Sequence, residues 1–457
     1  MREAQRGRPA PSAAERIAGL ERLARVLITK QDVIAEAIAR DFGHRSHHET
    51  LVAEVFVTVE AARYAARHVR RWMAPERRSV AWYFLPGRAM VRYQPLGVVG
   101  IISPWNYPFY LALGPLVSAL AAGNRVMIKP SEYTPATSEL LKVLLGEVFP
   151  SDQVAVITGG ADVGEAFSRL PFDHLVFTGS TRVGKVVMRA AAENLVPVTL
   201  ELGGKSPAII GDDFPIETAA VRVMYGKLLN AGQTCLSPDY VFVPEAKREA
   251  FVEALGRAVE QLYPKLNENP DYTSVINDRQ YARLVGYLED ARKRGLPVVE
   301  LNPAKEKLDP SRRRLAPHLV IEPGDDAAIM QDEIFGPLLP VKTYRTLDDA
   351  LRYVNDHPRP LALYYFGYRA RDTDRVLNET TSGGVTVNDT VLHVAQDDIP
   401  FGGVGPSGMG HYHAFEGFET MSRKKAVFVQ GRVNAIDLMR PPYGALLERF
   451  IAFVLGR

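Results

Sequence analysis

The sequence predicts an α/β protein built from two doubly wound, parallel-sheet lobes with a small extra β element. Three observations carry this. Short apolar runs of strand length alternate with helix-length periodic segments from Val98 to Asn388. The chain has 457 residues, 46% hydrophobic and 24% charged, which is enough for about three units of core. No change in composition marks a linker, and no internal repeat occurs.

The first 75 residues read as helices. Ile17, Leu20, Leu23, Ala24 and Leu27 keep one apolar face, Val33, Ile34, Ala37 and Ile38 another, and Glu49–Trp72 reads as a third helix. Val80–Tyr93 reads as a hairpin around Pro86-Gly87. Strands then follow at Val98–Ser103, Val126–Lys129, Val154–Thr158, His174–Thr178 and Val198–Leu202. Helices lie between them at Phe109–Ala122, Thr137–Val148, Val163–Arg169 and Val183–Ala192. A second alternating set comprises Ala208–Ile210, Ile216–Asn230, Tyr240–Val243 and Lys247–Leu262, with later strands at Leu319–Glu322, Leu339–Tyr344 and Gly384–Asn388. Asn302–Arg314 reads as a loop whose Arg312-Arg313-Arg314 run is solvated.

Composition narrows the function classes. Lys+Arg 55 against Asp+Glu 53 leaves +2, which is no footprint for nucleic acid. The single cysteine, Cys235, excludes an intrachain disulfide and fits a reducing, cytoplasmic setting. The basic start is followed by no apolar run, so a secretory signal is not expected. The charge-free stretch Tyr93–Asn124 is interrupted by four prolines, and each apolar piece is short of the ~20 residues a membrane span needs. A buried strand and a buried helix are expected there instead.

Several residues could carry chemistry. Cys235, in Asn230-Ala-Gly-Gln-Thr-Cys-Leu, is either a small buried hydrophobe or a nucleophile without a neighbouring histidine to activate it. Glu201 ends an apolar strand ahead of Gly203-Gly204, where a carboxylate points into the crevice that parallel sheets use for ligands. Partly desolvated there, it would serve as a general base; otherwise it is a surface turn residue. Gly179-Ser-Thr-Arg-Val-Gly184 follows a strand and opens a helix, a position suited to phosphate, but it matches neither common glycine-rich phosphate motif. Lys129 and Glu132 follow another strand and suit either ribose hydroxyls or solvent. Asn106 is an amide among aromatics and prolines, held either by core partners or ready for an oxyanion. Glu333 and Phe335 fall on one side if their segment is extended.

Taken together, Pro104-Trp-Asn-Tyr-Pro108, Ile128-Lys-Pro-Ser-Glu132, Phe177-Thr-Gly-Ser-Thr181, Glu201-Leu-Gly-Gly-Lys-Ser-Pro207, Gly232-Gln-Thr-Cys235, Glu333-Ile-Phe-Gly-Pro337 and Pro400-Phe-Gly-Gly-Val-Gly-Pro-Ser-Gly408 resemble the NAD(P)-dependent aldehyde dehydrogenase superfamily in both order and spacing. The short N-terminus, Gly408-Met-Gly-His-Tyr-His413 and the tail Arg440-Pro-Pro-Tyr443 resemble its class 3 branch, nearest the bacterial coniferyl-aldehyde type.

The resemblance implies roles. Cys235 becomes the nucleophile, Glu201 the general base, and Asn106 the oxyanion donor together with the Cys235 N–H. Lys129 and Glu132 would bind the adenosine ribose, Ser180 the pyrophosphate within the Gly179–Gly184 turn, and Glu333 the nicotinamide ribose. Phe335 would brace the nicotinamide, and Trp105 joins the cofactor set. Tyr107, Phe401 and His413 would line the substrate entrance. The cofactor would be NAD or NADP, with no metal. The implied domains are a cofactor-binding domain at 1–78 and 96–202 and a catalytic domain at 203–420. Bridging, oligomerising strands at 79–95 and 421–434 and a tail at 435–457 complete the chain. The implied assembly is a homodimer, with the run Lys425–Gln430 adding its edge to a partner's sheet. The implied substrates are aromatic or medium- to long-chain aldehydes such as coniferyl aldehyde. A coenzyme-A-acylating or semialdehyde dehydrogenase, a thioesterase and a non-catalytic relative are the alternatives, and the Glu201 base speaks for water as the acyl acceptor.

Overall fold

The computed structural model describes residues 1–7, 9–432, 436 and 439–456. The bridging stretch expected at 421–434 and the tail at 435–457 therefore include positions outside the described residues: 433, 434, 435, 437, 438 and 457.

Sixteen strands are described. In chain order they are β1 (Glu76–Arg78), β2 (Arg88–Pro95), β3 (Val98–Ile102), β4 (Arg125–Lys129), β5 (Val154–Val156), β6 (His174–Gly179), β7 (Val198–Leu202) and β8 (Pro207–Ile210). There follow β9 (Tyr240–Pro244), β10 (Val298–Glu300), β11 (His318–Ile321), β12 (Leu338–Tyr344), β13 (Ala362–Phe366), β14 (Gly384–Val387), β15 (Gly408–Met409) and β16 (Ser422–Val429). They form three sheets, ordered β15-β7-β6-β3-β4-β5, β10-β11-β12-β9-β8-β13-β14 and β1-β2-β16. The two large sheets are parallel except at their β15 and β10 edges. The expected two-lobed α/β architecture is observed.

The central strands are continuous apolar runs because helices cover both faces. Val99, Ile101, Val126, Ile128, Leu175 and Val176 are fully buried in the first sheet, as are Ile209, Ile210, Val241 and Val243 in the second. The charge-free stretch becomes β3 and the buried helix Tyr110–Ala122, which ends at Gly123 in the left-handed conformation. Among the described residues no helix is long and apolar enough to cross a membrane.

Strand order positions the site. In the first sheet β4 and β5 lie on one side of β3, and β6 and β7 on the other. The crevice at this reversal opens beyond the carboxyl ends of β3 and β6. Residues 103–109 leave β3 there, and Gly179-Ser180 leave β6. The strand β15, from a segment expected in the second lobe, pairs with β7, so that Gly408 faces Glu201.

Several local expectations are corrected. The hairpin expected at Val80–Tyr93 is displaced: β1 pairs with β2 through Glu76↔Val91, and Trp82–Phe84 is a 3₁₀ turn in the connection. Val33 is exposed, and the helix Gln31–Phe42 instead buries Ile34, Ala35, Ala37, Ile38 and Phe42. Arg314 is not solvated but buried, because its guanidinium donates to the carbonyls of Leu266 and Asn267. The third helix is interrupted: His47–Thr50 is α-helical, Leu51–Phe56 is a π-turn, and Val57–Trp72 is α-helical. The sequence reading leaves unassigned the helices Asp278–Lys293, Leu347–Asp356 and Ala370–Glu379 and the buried strand β13.

Candidate active site

A cavity of about 250 Å³ opens at the carboxyl edge of the first sheet and reaches the second lobe. Cys235, Glu201 and Asn106 all line it, as do Trp105, Gly179, Ser180, Glu333 and Phe335. Residues from widely separated parts of the chain therefore meet in one space.

Cys235 follows the helix Ile216–Leu228 and a tight turn, Leu229–Gly232. Asn230, Ala231 and Gly232 adopt φ of +54°, +51° and +77° in succession. For Ala231 this conformation costs about 1–2 kcal/mol. Side chains hold the turn in place. Gln233 Nε2 donates to the carbonyls of Asn230 (2.9 Å) and Ser274 (3.1 Å), and its Oε1 accepts from Ile276 N–H (2.9 Å). At Gly232 a Cβ would collide with the Gly336 carbonyl, so a glycine is required twice over, by space and by φ. The half-buried thiol is pushed up to about 12, first by burial and then by the Glu333 and Glu201 carboxyls, while its own N–H and that of Leu236 pull it down.

Glu201 sits on β7 between Thr178 of β6 and Gly408 of β15. It is buried, and neither carboxyl oxygen has a hydrogen-bond partner among the described residues. Burial holds its carboxyl well above the ordinary 4.5. The glycine-rich stretch Pro400–Gly408 passes beside it: a Cβ on Gly402 would come within 3.2 Å of Glu201 Oε1. The missing side chain leaves room for the Gly410 carbonyl, the His411 ring and the Glu201 carboxyl to pack against this backbone.

Asn106 Nδ2 donates to Gln233 O at 3.1 Å, and its main-chain carbonyl accepts from Arg45 (2.8 Å) and Asn230 Nδ2 (2.9 Å). The second amide hydrogen of Asn106 has no partner among the described residues. Trp105 meets Phe335 edge-on, with ring centroids 5.4 Å apart. Phe335 has φ of +50°, so its segment is not extended as the spacing argument assumes, yet Glu333 and Phe335 still face one cavity. Glu333 packs where a Cβ on Gly203 would collide with it. Its Oε1 is buried without a hydrogen-bond partner among the described residues, and burial followed by the Asp239 charge pushes the carboxyl up to about 8.

Ser180 is the N-cap of the helix Thr181–Ala192, and its hydroxyl accepts from Val183 N–H at 3.4 Å. Gly184, one turn on, packs against the sheet rather than lining the cavity: a Cβ there would lie 2.7 Å from Leu202 Cδ2. Lys129 and Glu132 lie at the end of β4 and pair with each other at 3.1 Å, outside the lining of the Cys235 cavity. Tyr107, Phe401 and His413 are buried and also stand outside that lining. Tyr107 shares a 2.7 Å hydrogen bond with Thr234, next to Cys235. Phe401 stacks on His413 at 4.8 Å, and His413 Nε2 lies 3.1 Å from the Tyr110 hydroxyl.

The sequence reading misses Gln280 and Arg283, which line the cavity from the helix Asp278–Lys293. Arg283 donates to the carbonyls of Glu333 (3.3 Å) and Ile334 (2.7 Å) and so fixes the Glu333 segment. Nothing local to the helix announces this; the signal lies in its proximity to Glu333.

The cavity has features that fit a dinucleotide. It offers a helix N-terminus at Ser180, the unpartnered buried oxygen of Glu333, a glycine edge at Gly203 and aromatic walls at Trp105 and Phe335. These suit a phosphate-linked, ribose-bearing ligand with a flat ring.

Comparison with known proteins agrees. Residues 1–427 match the model of the aldehyde dehydrogenase family. A probable coniferyl aldehyde dehydrogenase of Pseudomonas aeruginosa is 57% identical, over 99% of this chain and 94% of its own length. The substrate-bound structure of Staphylococcus aureus AldH superposes with a TM-score of 0.91 at 37% identity, covering 97% of this chain and 95% of that one. A Mycobacterium tuberculosis aldehyde dehydrogenase complexed with NAD+ superposes with a TM-score of 0.85 at 28% identity, covering 95% and 89%.

Proposed function

The chain belongs to the aldehyde dehydrogenase family, and from that premise we propose that it oxidises an aldehyde to its carboxylic acid with NAD+ or NADP+ through a thioester on Cys235. The observation that carries this reading is the convergence of Cys235, Glu201 and Asn106 on one cavity, with the Glu201 carboxyl unpartnered among the described residues.

The roles follow from the surroundings. Cys235 adds as thiolate to the aldehyde carbon, and the carbonyl oxygen becomes an alkoxide. The free amide hydrogen of Asn106 and the Cys235 N–H supply the donors for that oxygen, and such a donor contributes about 3 kcal/mol. An oxidised nicotinamide held by these residues would supply the hydride acceptor, so that the adduct carbon could lose its hydrogen as hydride and leave a thioester. Glu201 then takes a proton from water as the water oxygen bonds to the acyl carbon. The carbon–sulfur bond breaks, the acid leaves, and the thiolate is restored. Burial favours the protonated form of both the thiol and the Glu201 carboxyl, whereas the nucleophile and base roles proposed for them call for the ionised forms.

For the cofactor, we assign Ser180 and Gly179 to the pyrophosphate, Lys129 and Glu132 to the adenosine ribose, Glu333 to the nicotinamide ribose, and Phe335 and Trp105 to the ring walls. Gly184 supports this set by letting the helix approach the sheet. The lobe formed by 1–78 and 96–202 would hold the cofactor, and 203–420 would carry the nucleophile. A glutamate at 132 does not decide between NAD and NADP.

Aromatic and medium- to long-chain aldehydes, coniferyl aldehyde among them, are the proposed substrates. The named activity of the Pseudomonas relative, Tyr107 bonded to Thr234 beside Cys235 and the stacked pair Phe401 and His413 support this. We further read the protein as a cytoplasmic homodimer. β16 pairs with β2 on one side only and leaves its other edge, with Phe428 and Val429 exposed, for a second copy. The test is an aldehyde panel assayed with each cofactor by nicotinamide absorbance. Turnover of none of these aldehydes with either cofactor would refute the assignment.

A further inference from the structure

We infer that Arg45, Glu49 and Glu54, grouped at the start of one helical rod, are positioning residues that hold the oxyanion donor and the nucleophile turn in a common register. The inference deepens the reading of Asn106 and Cys235 given above and rests on it.

The geometry is specific. The Arg45 and Glu54 side chains are fully buried and form an ion pair at 3.1 Å. The same Arg45 nitrogen donates to the Asn106 carbonyl at 2.8 Å, and the guanidinium lies 4.7 Å over the Tyr107 ring. Glu54 Oε2 accepts from Phe109 N–H (2.9 Å) and Tyr110 N–H (2.8 Å). The loop between β3 and the next helix is thereby gripped at residues 106, 109 and 110. Glu49 grips the other loop. Its two oxygens accept from Asn230 N–H at 3.1 and 3.2 Å, and Oε2 also accepts from Thr273 Oγ1 at 2.9 Å. Asn230 is the first residue of the left-handed turn that leads to Cys235.

The π-turn Leu51–Phe56 explains how one rod serves two loops. In a regular α-helix, residues five apart point about 140° away from each other, at 3.6 residues per turn. The π-turn changes this spacing: Glu54 lies inside it and Glu49 in the α-helical turn just before it. Such inserted turns recur at functional sites. A buried charged pair is also weak evidence for a purely stabilising role, because desolvation offsets the attraction. Its fixed hydrogen bonds to the Asn106 and Tyr110 backbone are what a positioning device requires.

The test is a double-mutant cycle on the full-length protein, read by the burst rate of reduced cofactor formation. Arg45→Lys and Glu54→Gln should each slow the burst by about tenfold or more, since small misplacements near reacting atoms cost this much. In an Asn106→Ala background either change should add less than about twofold, because both act through Asn106. Glu49→Gln should slow iodoacetamide alkylation of Cys235, the single thiol of the chain, without substrate present. Multiplicative losses in the cycle, or a lower melting temperature with unchanged burst and alkylation rates, would overturn the inference. Should Arg45→Lys fail to fold, the Glu54→Gln arm measures the same coupling. If Asn106→Ala alone leaves the burst unchanged, the oxyanion assignment fails first, and the positioning inference falls with it.

Discussion

The side-chain amide of Asn106 donates to the main-chain carbonyl of Gln233 at 3.1 Å, two residues ahead of Cys235. This bond joins the loop that leaves the first sheet to the turn that carries the thiol in the second lobe. It consumes one amide hydrogen and sets the direction of the other. The proposed donor and nucleophile are thus fixed relative to each other by the protein itself, which is what electrostatic preorganisation demands.

Asn106→Ala should therefore lower the burst rate by about a hundredfold or more, the effect of removing one oxyanion donor. Cofactor affinity, measured by fluorescence titration, should stay within about twofold, because the change leaves the ribose and phosphate contacts intact. An effect confined to KM would identify Asn106 as a substrate contact instead.

Cys235→Ala should abolish dehydrogenase activity while the protein still folds and binds dinucleotide. The chain contains no second cysteine to replace it. Circular dichroism and equilibrium dialysis check the fold and the binding, and turnover above roughly 1% of the parent rate would reject the nucleophile assignment, since loss of a covalent nucleophile costs far more.

Glu201→Gln should acylate but deacylate slowly, giving a burst of reduced cofactor followed by a weak steady state. Stability offers an independent check. Burial raises the Glu201 carboxyl above its ordinary 4.5, so its favourable contribution is full below that value and is lost as pH rises through the raised value. The glutamine variant lacks this loss. Its melting temperature relative to the parent should increase from pH 4.5 upward, and Glu333, raised in both proteins, cancels in the comparison. A constant difference across pH would show that Glu201 ionises freely in the folded state.

How much of the site is legible in the sequence depends on whether the signal is local. Cys235, Glu201, Asn106, Ser180 and Glu333 each lie at or just beyond the end of a strand or helix within a short motif, and the parallel topology brings such ends together. The Arg45–Glu54 pair has no comparable signature, because its meaning lies in contacts to residues 106–110 and, through Glu49, to residue 230. The hairpin expected near Pro86 is displaced because turn chemistry marks a bend but not which flanking run pairs; Glu76–Arg78 pairs although it is polar. Arg314 reads as solvated from its neighbours, and two distant carbonyls bury it. The helix Asp278–Lys293 gives a weak periodic signal because its apolar face, with Leu284, Tyr287, Leu288 and Ala291 buried, is diluted by charged and amide positions.

The proposed substrate preference rests on the buried aromatic residues Tyr107, Phe401 and His413. Phe401 stacks on His413, whose ring is bonded to the Tyr110 hydroxyl, while Tyr107 is pinned through Thr234 beside Cys235. Burial, followed by the neighbouring His393 and His411, pushes His413 down to about 3, so it is neutral throughout the working range and gives no cation for a substrate carboxylate. This aromatic group is therefore uncharged, and Arg45, the cation near it, is committed to Glu54 and Asn106. A flat or long apolar aldehyde gains about 25 cal/mol for each Å² of apolar surface removed from water, whereas acetaldehyde offers little surface to bury. Part of that gain goes into orienting the carbonyl for attack. Cinnamaldehyde-type and medium-chain aldehydes should accordingly exceed acetaldehyde in kcat/KM by at least about tenfold, equivalent to roughly 1.4 kcal/mol. Phe401→Ala should shrink that ratio while leaving acetaldehyde turnover nearly unchanged. Equal efficiencies across the panel, or a preference for a carboxylate-bearing semialdehyde, would reject the apolar wall and leave the assignments of Cys235, Glu201 and Asn106 standing.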